Sequence, residues 1–184
     1  MRSKKLRLVV VRHGETPANL SGTVTGRSED SLTENGREQM KQIRQELKHY
    51  APLLAVYASP MKRCVESVQI IAPERDPIYD DRLAERDLGD LANYHIDELW
   101  QNPLWNSLEI ERTVGGAETL LSGLMRTRQF LAELKEKYPD GGRILLVTHS
   151  FISRCLWIIT ENITDQATMS NFLHPNNQIK VYNY

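Results

Sequence analysis

Leu6-Arg7-Leu8-Val9-Val10-Val11-Arg12-His13-Gly14-Glu15-Thr16 is the stretch that decides the fold. Leu6 to Val11 is short, mostly apolar and rich in β-branched residues, which is the pattern of a strand buried on both faces of a sheet. It ends abruptly on arginine, histidine and glycine. Open α/β sheets hold their ligands in the crevice beyond the carboxyl ends of the strands, so Arg12 and His13 stand where chemistry is expected. Gly14 lets the chain turn and keeps a Cβ away from anything lying against the histidine. A neutral imidazole beside a fixed guanidinium suits attack on a phosphoryl group. The arginine neutralises phosphate oxygens, and its charge disfavours protonation of the nucleophile. Alone, these three residues fit a solvated Arg-His pair at a strand end equally well.

A second stretch shifts that balance. Arg143-Ile144-Leu145-Leu146-Val147-Thr148-His149-Ser150 repeats the pattern of a short apolar strand ending in histidine. Ser150 is expected to cap a helix over Phe151 to Ile159. If the two strands are parallel neighbours, His13 and His149 meet at one edge of the sheet.

The rest of the chain alternates helices with strands. Residues 14–32 read as a Gly-, Ser- and Thr-rich loop. Thr33 is the expected N-cap of a first helix with Met40, Ile43 and Leu47 on its apolar stripe. Leu53 to Ala58 follows as a strand, and Ser59-Pro60 as a helix start with proline in first position. Met61, Cys64, Val65, Val68 and Ile71 form the inward face of that helix. Arg63 lies in its first turn, where a helix N-terminus favours an anion; its place at the same sheet edge as His13 makes it a phosphate-binding candidate rather than a solvated helix arginine. Residues 72–115 are irregular, with a short helix near His95 to Gln101. A long helix spans Ala117 to Tyr138, with Leu120, Leu121, Leu124, Phe130, Leu131 and Leu134 inward, and stops at Pro139-Asp140-Gly141-Gly142. Asn177 to Tyr184 reads as the last strand. This order argues for an α/β protein, a three-layer α/β/α sandwich with a mostly parallel central sheet.

Composition bounds the function. The 184 residues suit a single domain, 1–184, with a sizeable core. A net charge of −1 gives no whole-molecule attraction to nucleic acid or to an anionic membrane. Neither partner is expected, and the charge says nothing of oligomeric state. Cys64 and Cys155 have no CxxC partner and read as reduced core thiols. No HExxH or paired His/Cys spacing points to a metal, and no metal or other cofactor is expected. The basic start Met1-Arg2-Ser3-Lys4-Lys5 precedes an apolar run too short for a signal peptide, and no stretch approaches the roughly 20 apolar residues of a membrane span, so a cytoplasmic location is expected.

At these residues the sequence resembles the histidine phosphatase superfamily, the phosphoglycerate-mutase-like family. The resemblance runs in order through Arg12-His13-Gly14-Glu15-Thr16, Asn19, Leu32-Thr33-Glu34-Asn35-Gly36, Gln39, Ser59-Pro60-Met61-Lys62-Arg63, Glu85-Arg86 with Gly89, Gly115-Gly116-Ala117-Glu118 and Thr148-His149. It implies the phosphoglycerate-mutase-like fold and a metal-independent phosphoryl transfer. His13 would become phosphohistidine, with Arg12, Arg63 and His149 around the phosphate and Glu85 giving the leaving oxygen its proton. Asn19 and Thr25 are expected to contact substrate from the first loop, and Arg86 suits a carboxylate. Glu118 would orient rather than react. Two departures bear on substrate preference: Ser150 stands where many members have glycine, and Asp90-Leu91-Ala92-Asn93 replaces a Glu-Gly continuation.

Three function classes fit: a hydrolase acting on a small phosphorylated metabolite, a cofactor-dependent phosphoglycerate mutase returning the phosphoryl group to an alcohol, and a non-catalytic module. The span from Glu85 to Glu118 is short for the insertion that such mutases carry, and no catalytic group is missing. Residues 90–115 are the expected specificity region, with Trp100 and Trp105 either flanking substrate or packing the core.

Overall fold

In the computed structural model, which describes residues 5–100, 115–165, 168–169 and 171–184, the opening run is strand β1, Leu6–Arg12. Its side chains alternate between two cores. Leu6, Leu8 and Val10 join one apolar cluster, while Val9 and Val11 join another. A strand buried on both faces needs apolar residues at successive positions, which is why Leu8 to Val11 shows no polar alternation, while Arg7 near the strand's start is exposed.

Four further strands complete the sheet: β2 (Ala55–Ala58), β3 (Ile78–Tyr79), β4 (Gly142–Thr148) and β5 (Ile179–Asn183). The order is β3-β2-β4-β1-β5. All pairs are parallel except β1 with β5. Six helices are described: α1 (Pro17–Ser21), α2 (Glu34–Leu47), α3 (Lys62–Ile71), α4 (Ile96–Trp100), α5 (Leu120–Lys137) and α6 (Ser150–Thr160). Met40, Ile43 and Leu47 of α2 and Cys64, Val68 and Ile71 of α3 cover one face. Leu120, Leu124, Phe130, Leu131 and Leu134 of α5 and Phe151, Ile152, Cys155 and Leu156 of α6 cover the other. The three-layer α/β/α arrangement with a mostly parallel sheet is therefore present. Among the described residues no helix is long and apolar enough to cross a membrane.

Register does the functional work. Arg12 sits opposite Thr148 across the β1–β4 ladder. The next residue of each strand is a histidine, so His13 and His149 leave the sheet side by side, with ring centroids 5.1 Å apart.

Several local expectations need correction. The 14–32 stretch is not all loop: Thr16 and Asn19 form a capping box that starts α1, with Pro17 in its first turn. Helix α3 begins at Lys62 with Met61 as its N-cap; Ser59 stands before it, its hydroxyl accepting from Met61 N–H at 3.3 Å and facing the second histidine at 2.9 Å. Ser150 is not the cap of α6. Extended backbone at His149 makes the histidine itself the N-cap and Ser150 the first helical residue. Helix α5 starts at Leu120 under a Thr119 cap, and Leu121 and Val65 are only partly buried. Strand β2 begins at Ala55, later than expected. Trp105, the side chain of Trp100 and most of the 90–115 specificity region lie outside the described residues.

Candidate active site

His13 is fixed at three points. Its backbone N–H donates to Thr148 O at 3.0 Å, and its own carbonyl accepts from Asn176 Nδ2 at 2.8 Å. Its ring Nδ1 lies 2.8 Å from Gly14 O. A carbonyl can only accept, so Nδ1 carries the proton and Nε2 keeps the lone pair. Gly14 serves packing rather than a ligand: a Cβ there would lie 2.5 Å from the Gly36 carbonyl at the start of α2. Gly36 returns the constraint, since its own Cβ would lie 2.2 Å from Glu15 O. Thr33 caps α2 through Gly36 N–H, and its hydroxyl also donates to the Glu15 carboxylate at 2.7 Å.

Two guanidinium groups flank the ring. Arg63, in the first turn of α3, is buried and donates to Ser28 O at 2.8 Å, Gly26 O at 2.7 Å and His149 Nδ1 at 3.3 Å. Arg12 donates through Nη1 to His174 O at 2.9 Å, but its buried Nε has no partner. Burial, reinforced by Arg12 and then Arg63, holds His13 well below the ordinary imidazole range.

His149 is set the opposite way round. A guanidinium only donates, so Nδ1 accepts from Arg63 and the neutral ring carries its proton on Nε2, 2.9 Å from Ser59 Oγ. Cys64 Sγ lies 3.4 Å from the same nitrogen. Burial, with the charge of Arg63, lowers the His149 pKa well below its ordinary value. Two neutral imidazoles thus stand between two guanidinium groups.

Glu85 approaches from the loop after β3. One carboxylate oxygen accepts from Arg86 N–H at 2.8 Å, and the other lies 4.0 Å from His149 Nδ1. Arg126 of α5 secures that loop. It donates to the carbonyls of Arg82 and Ala84 at 2.7 Å each and of Glu85 at 3.3 Å, and it grips both Glu118 oxygens at 2.7 and 2.8 Å. Glu118 also accepts from Asp87 N–H, so it orients this loop.

These groups open onto a cavity of about 430 Å³. Arg12, His13, Arg63 and Glu85 line it, as do Asn19, Thr25, Arg86 and Ser150. His149 lies just behind, fully buried. Every candidate residue is therefore gathered around one space. Sequence reasoning missed Phe151 and Arg154 on α6, and Phe172 and Leu173 from the loop before β5, all of which line the same cavity. It also missed His174 and Asn176, which hold Arg12 and His13. Only Phe151 and Arg154 left a signal: with Ser150 they share one helical face at i, i+1 and i+4. Both cysteines are free and buried, and burial pushes each thiol up to about 12. Among the described residues no three His, Cys, Asp or Glu side chains gather as a metal site.

Comparison with known proteins points one way. The family model described as "Histidine phosphatase superfamily (branch 1)" matches residues 8–184. A protein named "Probable phosphoglycerate mutase GpmB" from Enterobacter sp. (strain 638) is 33% identical over 159 residues, covering 82% of this chain and 73% of its own. A phosphoserine phosphatase mutant from Entamoeba histolytica, solved with phosphoserine, superposes with a TM-score of 0.85 at 20% identity over 97% of this chain and 94% of that one. A phosphoserine phosphatase from the same organism, solved with 3-phosphoglyceric acid, gives 0.81 at 22% over 96% and 89%. At these identities the two solved structures establish the shared fold.

Proposed function

Because the chain belongs to the histidine phosphatase superfamily, we propose that it is a phosphatase that hydrolyses a small phosphorylated metabolite through a phosphohistidine on His13. One observation carries the reading: the Gly14 carbonyl holds the His13 proton on Nδ1, which leaves Nε2 as a ready nucleophile beside Arg12 and Arg63.

The chemistry follows from the charges. His13 Nε2 attacks phosphorus while the bond to the leaving oxygen breaks, and Glu85 supplies that oxygen with a proton. The unpartnered Arg12 Nε offers a hydrogen bond to an equatorial phosphate oxygen, where charge sits in the transition state. Glu85 then takes a proton from water as it attacks the phosphohistidine, releasing phosphate and regenerating His13. His149, fixed by Arg63 and Ser59, stands beside the transferring group. Asn19, Thr25 and Ser150 line the space left for the rest of the substrate. The solved fold relatives bound to phosphoserine or 3-phosphoglyceric acid support a substrate of that size.

Transfer to an alcohol instead of water is the second reading, favoured by the name of the Enterobacter relative. One experiment separates them. The protein is mixed with ³²P-labelled p-nitrophenyl phosphate and quenched in base, where phosphohistidine survives. A burst of labelled protein decaying to free phosphate supports the phosphatase. Decay only on adding 3-phosphoglycerate, with label in the product, supports the mutase. Turnover without labelled protein, or label persisting in His13→Ala, overturns the role of His13.

A further inference from the structure

We propose that Gln39 is a positioning residue for His13: through the peptide that joins Gly14 to Glu15, it decides which ring nitrogen of the nucleophile carries the proton. The inference rests on the phosphatase reading above. Gln39 acts from behind the site, since it is not among the residues that line the cavity.

His13 needs such a device because it is neutral. Burial, with Arg12 and Arg63 nearby, keeps the ring from taking a second proton. A neutral imidazole can carry its one proton on either nitrogen, and attack requires the lone pair on Nε2. The choice falls to the Gly14 carbonyl, 2.8 Å from Nδ1. That carbonyl shares a peptide with Glu15 N–H. Turned over, the same peptide would present Glu15 N–H to Nδ1. Nδ1 would then accept, the proton would move to Nε2, and the nucleophile would be blocked. Gly14 has no Cβ with which to resist the turn.

Gln39 resists it. Glu15 N–H donates to Gln39 Oε1 at 2.9 Å. An N–H only donates, so the amide oxygen is the atom that must face it. A hydrogen bond at one end of a peptide also polarises the other end, which makes Gly14 O a better acceptor for Nδ1–H. Helix α2 delivers the oxygen: Thr33, Gly36 and Gln39 stand at i, i+3 and i+6 on one face. Thr33 N–H donates to Glu15 O at 2.9 Å, and a Cβ on Gly36 would lie 2.8 Å from Glu15 N, so helix and turn are in direct contact. The preceding peptide is pinned by other side chains. Ser67 Oγ accepts from Gly14 N–H at 3.1 Å and donates to Arg63 O at 2.6 Å, while Asn176 holds His13 O.

The readout is the His13 ring itself, which needs no turnover. Protein labelled with ¹⁵N in its histidine rings is compared by long-range ¹H–¹⁵N NMR, His13 being the signal lost in His13→Ala. The wild type is expected to show the proton on Nδ1 and the lone pair on Nε2. Gln39→Met keeps a good helix former but removes the acceptor, and His13 should become a mixture of the two tautomers. Phosphoprotein formation from labelled p-nitrophenyl phosphate should then slow roughly 10- to 100-fold, while the Ki of inorganic phosphate stays within about threefold. Gln39→Glu presents oxygens that only accept, and it should restore the tautomer and most of the rate. A wild-type tautomer in Gln39→Met overturns the proposal, as does a mixed tautomer in Gln39→Glu. Rate and phosphate affinity falling together in Gln39→Met overturn it too, because a turned peptide leaves the phosphate site intact. Failure of the phosphatase reading shows separately, as a wild type that never becomes labelled although its His13 tautomer responds to Gln39.

Discussion

Lowering the pH from 7 to 5 tests the buried histidine network, and His174 is the place to measure it. Its Nε2 donates to Gln178 O at 2.9 Å and its Nδ1 accepts from Ser153 Oγ at 2.6 Å, so the folded ring is held neutral with both nitrogens used. Burial, aided by Lys180 and Arg12 and opposed by the Gln178 bond, pushes its pKa from 6.5 down to about 4. The unfolded chain protonates His174 near 6.5, whereas the folded chain waits until about 4. The unfolded state therefore binds more protons throughout this window, and stability is lost as pH falls. From 6.5 to 5 the loss is about 2 kcal/mol at 1.36 kcal/mol per pH unit. His13 and His149 are lowered in the same direction by burial, so the wild type should lose more than the His174 share alone. Urea unfolding at pH 7, 6 and 5, followed by tryptophan fluorescence at constant ionic strength, measures this directly. His174→Gln is less stable at pH 7, but its loss between pH 7 and 5 should be smaller by about 2 kcal/mol. If both proteins lose the same amount, His174 is not held neutral in the folded chain and the reasoning fails.

Three other outcomes are expected. Arg126→Met leaves the nearly buried Glu118 carboxylate and three loop carbonyls without their donor; the cost should be about 3–5 kcal/mol, or roughly 6–20 °C in Tm by calorimetry. A Tm within about 2 °C of wild type would show that the loop holds itself. Glu85→Gln should slow an alkyl phosphate about 10²–10⁴-fold while hardly slowing p-nitrophenyl phosphate, whose phenolate leaves without a proton; equal losses on both substrates would make Glu85 structural. EDTA should leave phosphate release unchanged, because the arginines supply the positive charge, and recovery by a divalent ion after loss would overturn the metal-independent mechanism.

What was legible in the sequence was local and apolar. Two mostly apolar runs, each followed within two residues by a histidine, specified buried parallel strands, and the β1–β4 register then placed His13 beside His149. Arg63 was readable because a strand, a turn and a helix start lie within a few residues of it. The caps were misread because a serine before an apolar run does not fix which residue is the last with extended backbone, and that residue is Met61 for α3 and His149 for α6. Ser59 faces His149, and extended backbone at His149 displaced Ser150 from the cap. His174 and Asn176 were invisible for a different reason. They reach Arg12 and His13 across more than 160 residues of chain, and such contacts leave no periodicity behind. Arg154 was hidden by its neighbours, since Phe151, Ile152, Cys155 and Leu156 mark α6 as a core helix.

The β1–β4–β5 pairing also sets a timetable for synthesis. β1 is made well before its sheet partners among the described strands, which begin at Gly142 and Ile179. At about 5–20 residues per second, roughly 9–35 s pass before β5 follows it off the ribosome. Until β4 follows, the Val9-Val10-Val11 run lacks both ladders, and until β5 follows it lacks one, which is the condition in which apolar strands stick to one another. The same delay leaves His13 unplaced. Until β4 supplies Thr148 O and the segment before β5 supplies Asn176 and His174 O, neither the histidine nor Arg12 is held. A growing chain thus makes His13 and Arg12 long before it makes the residues that hold them in place.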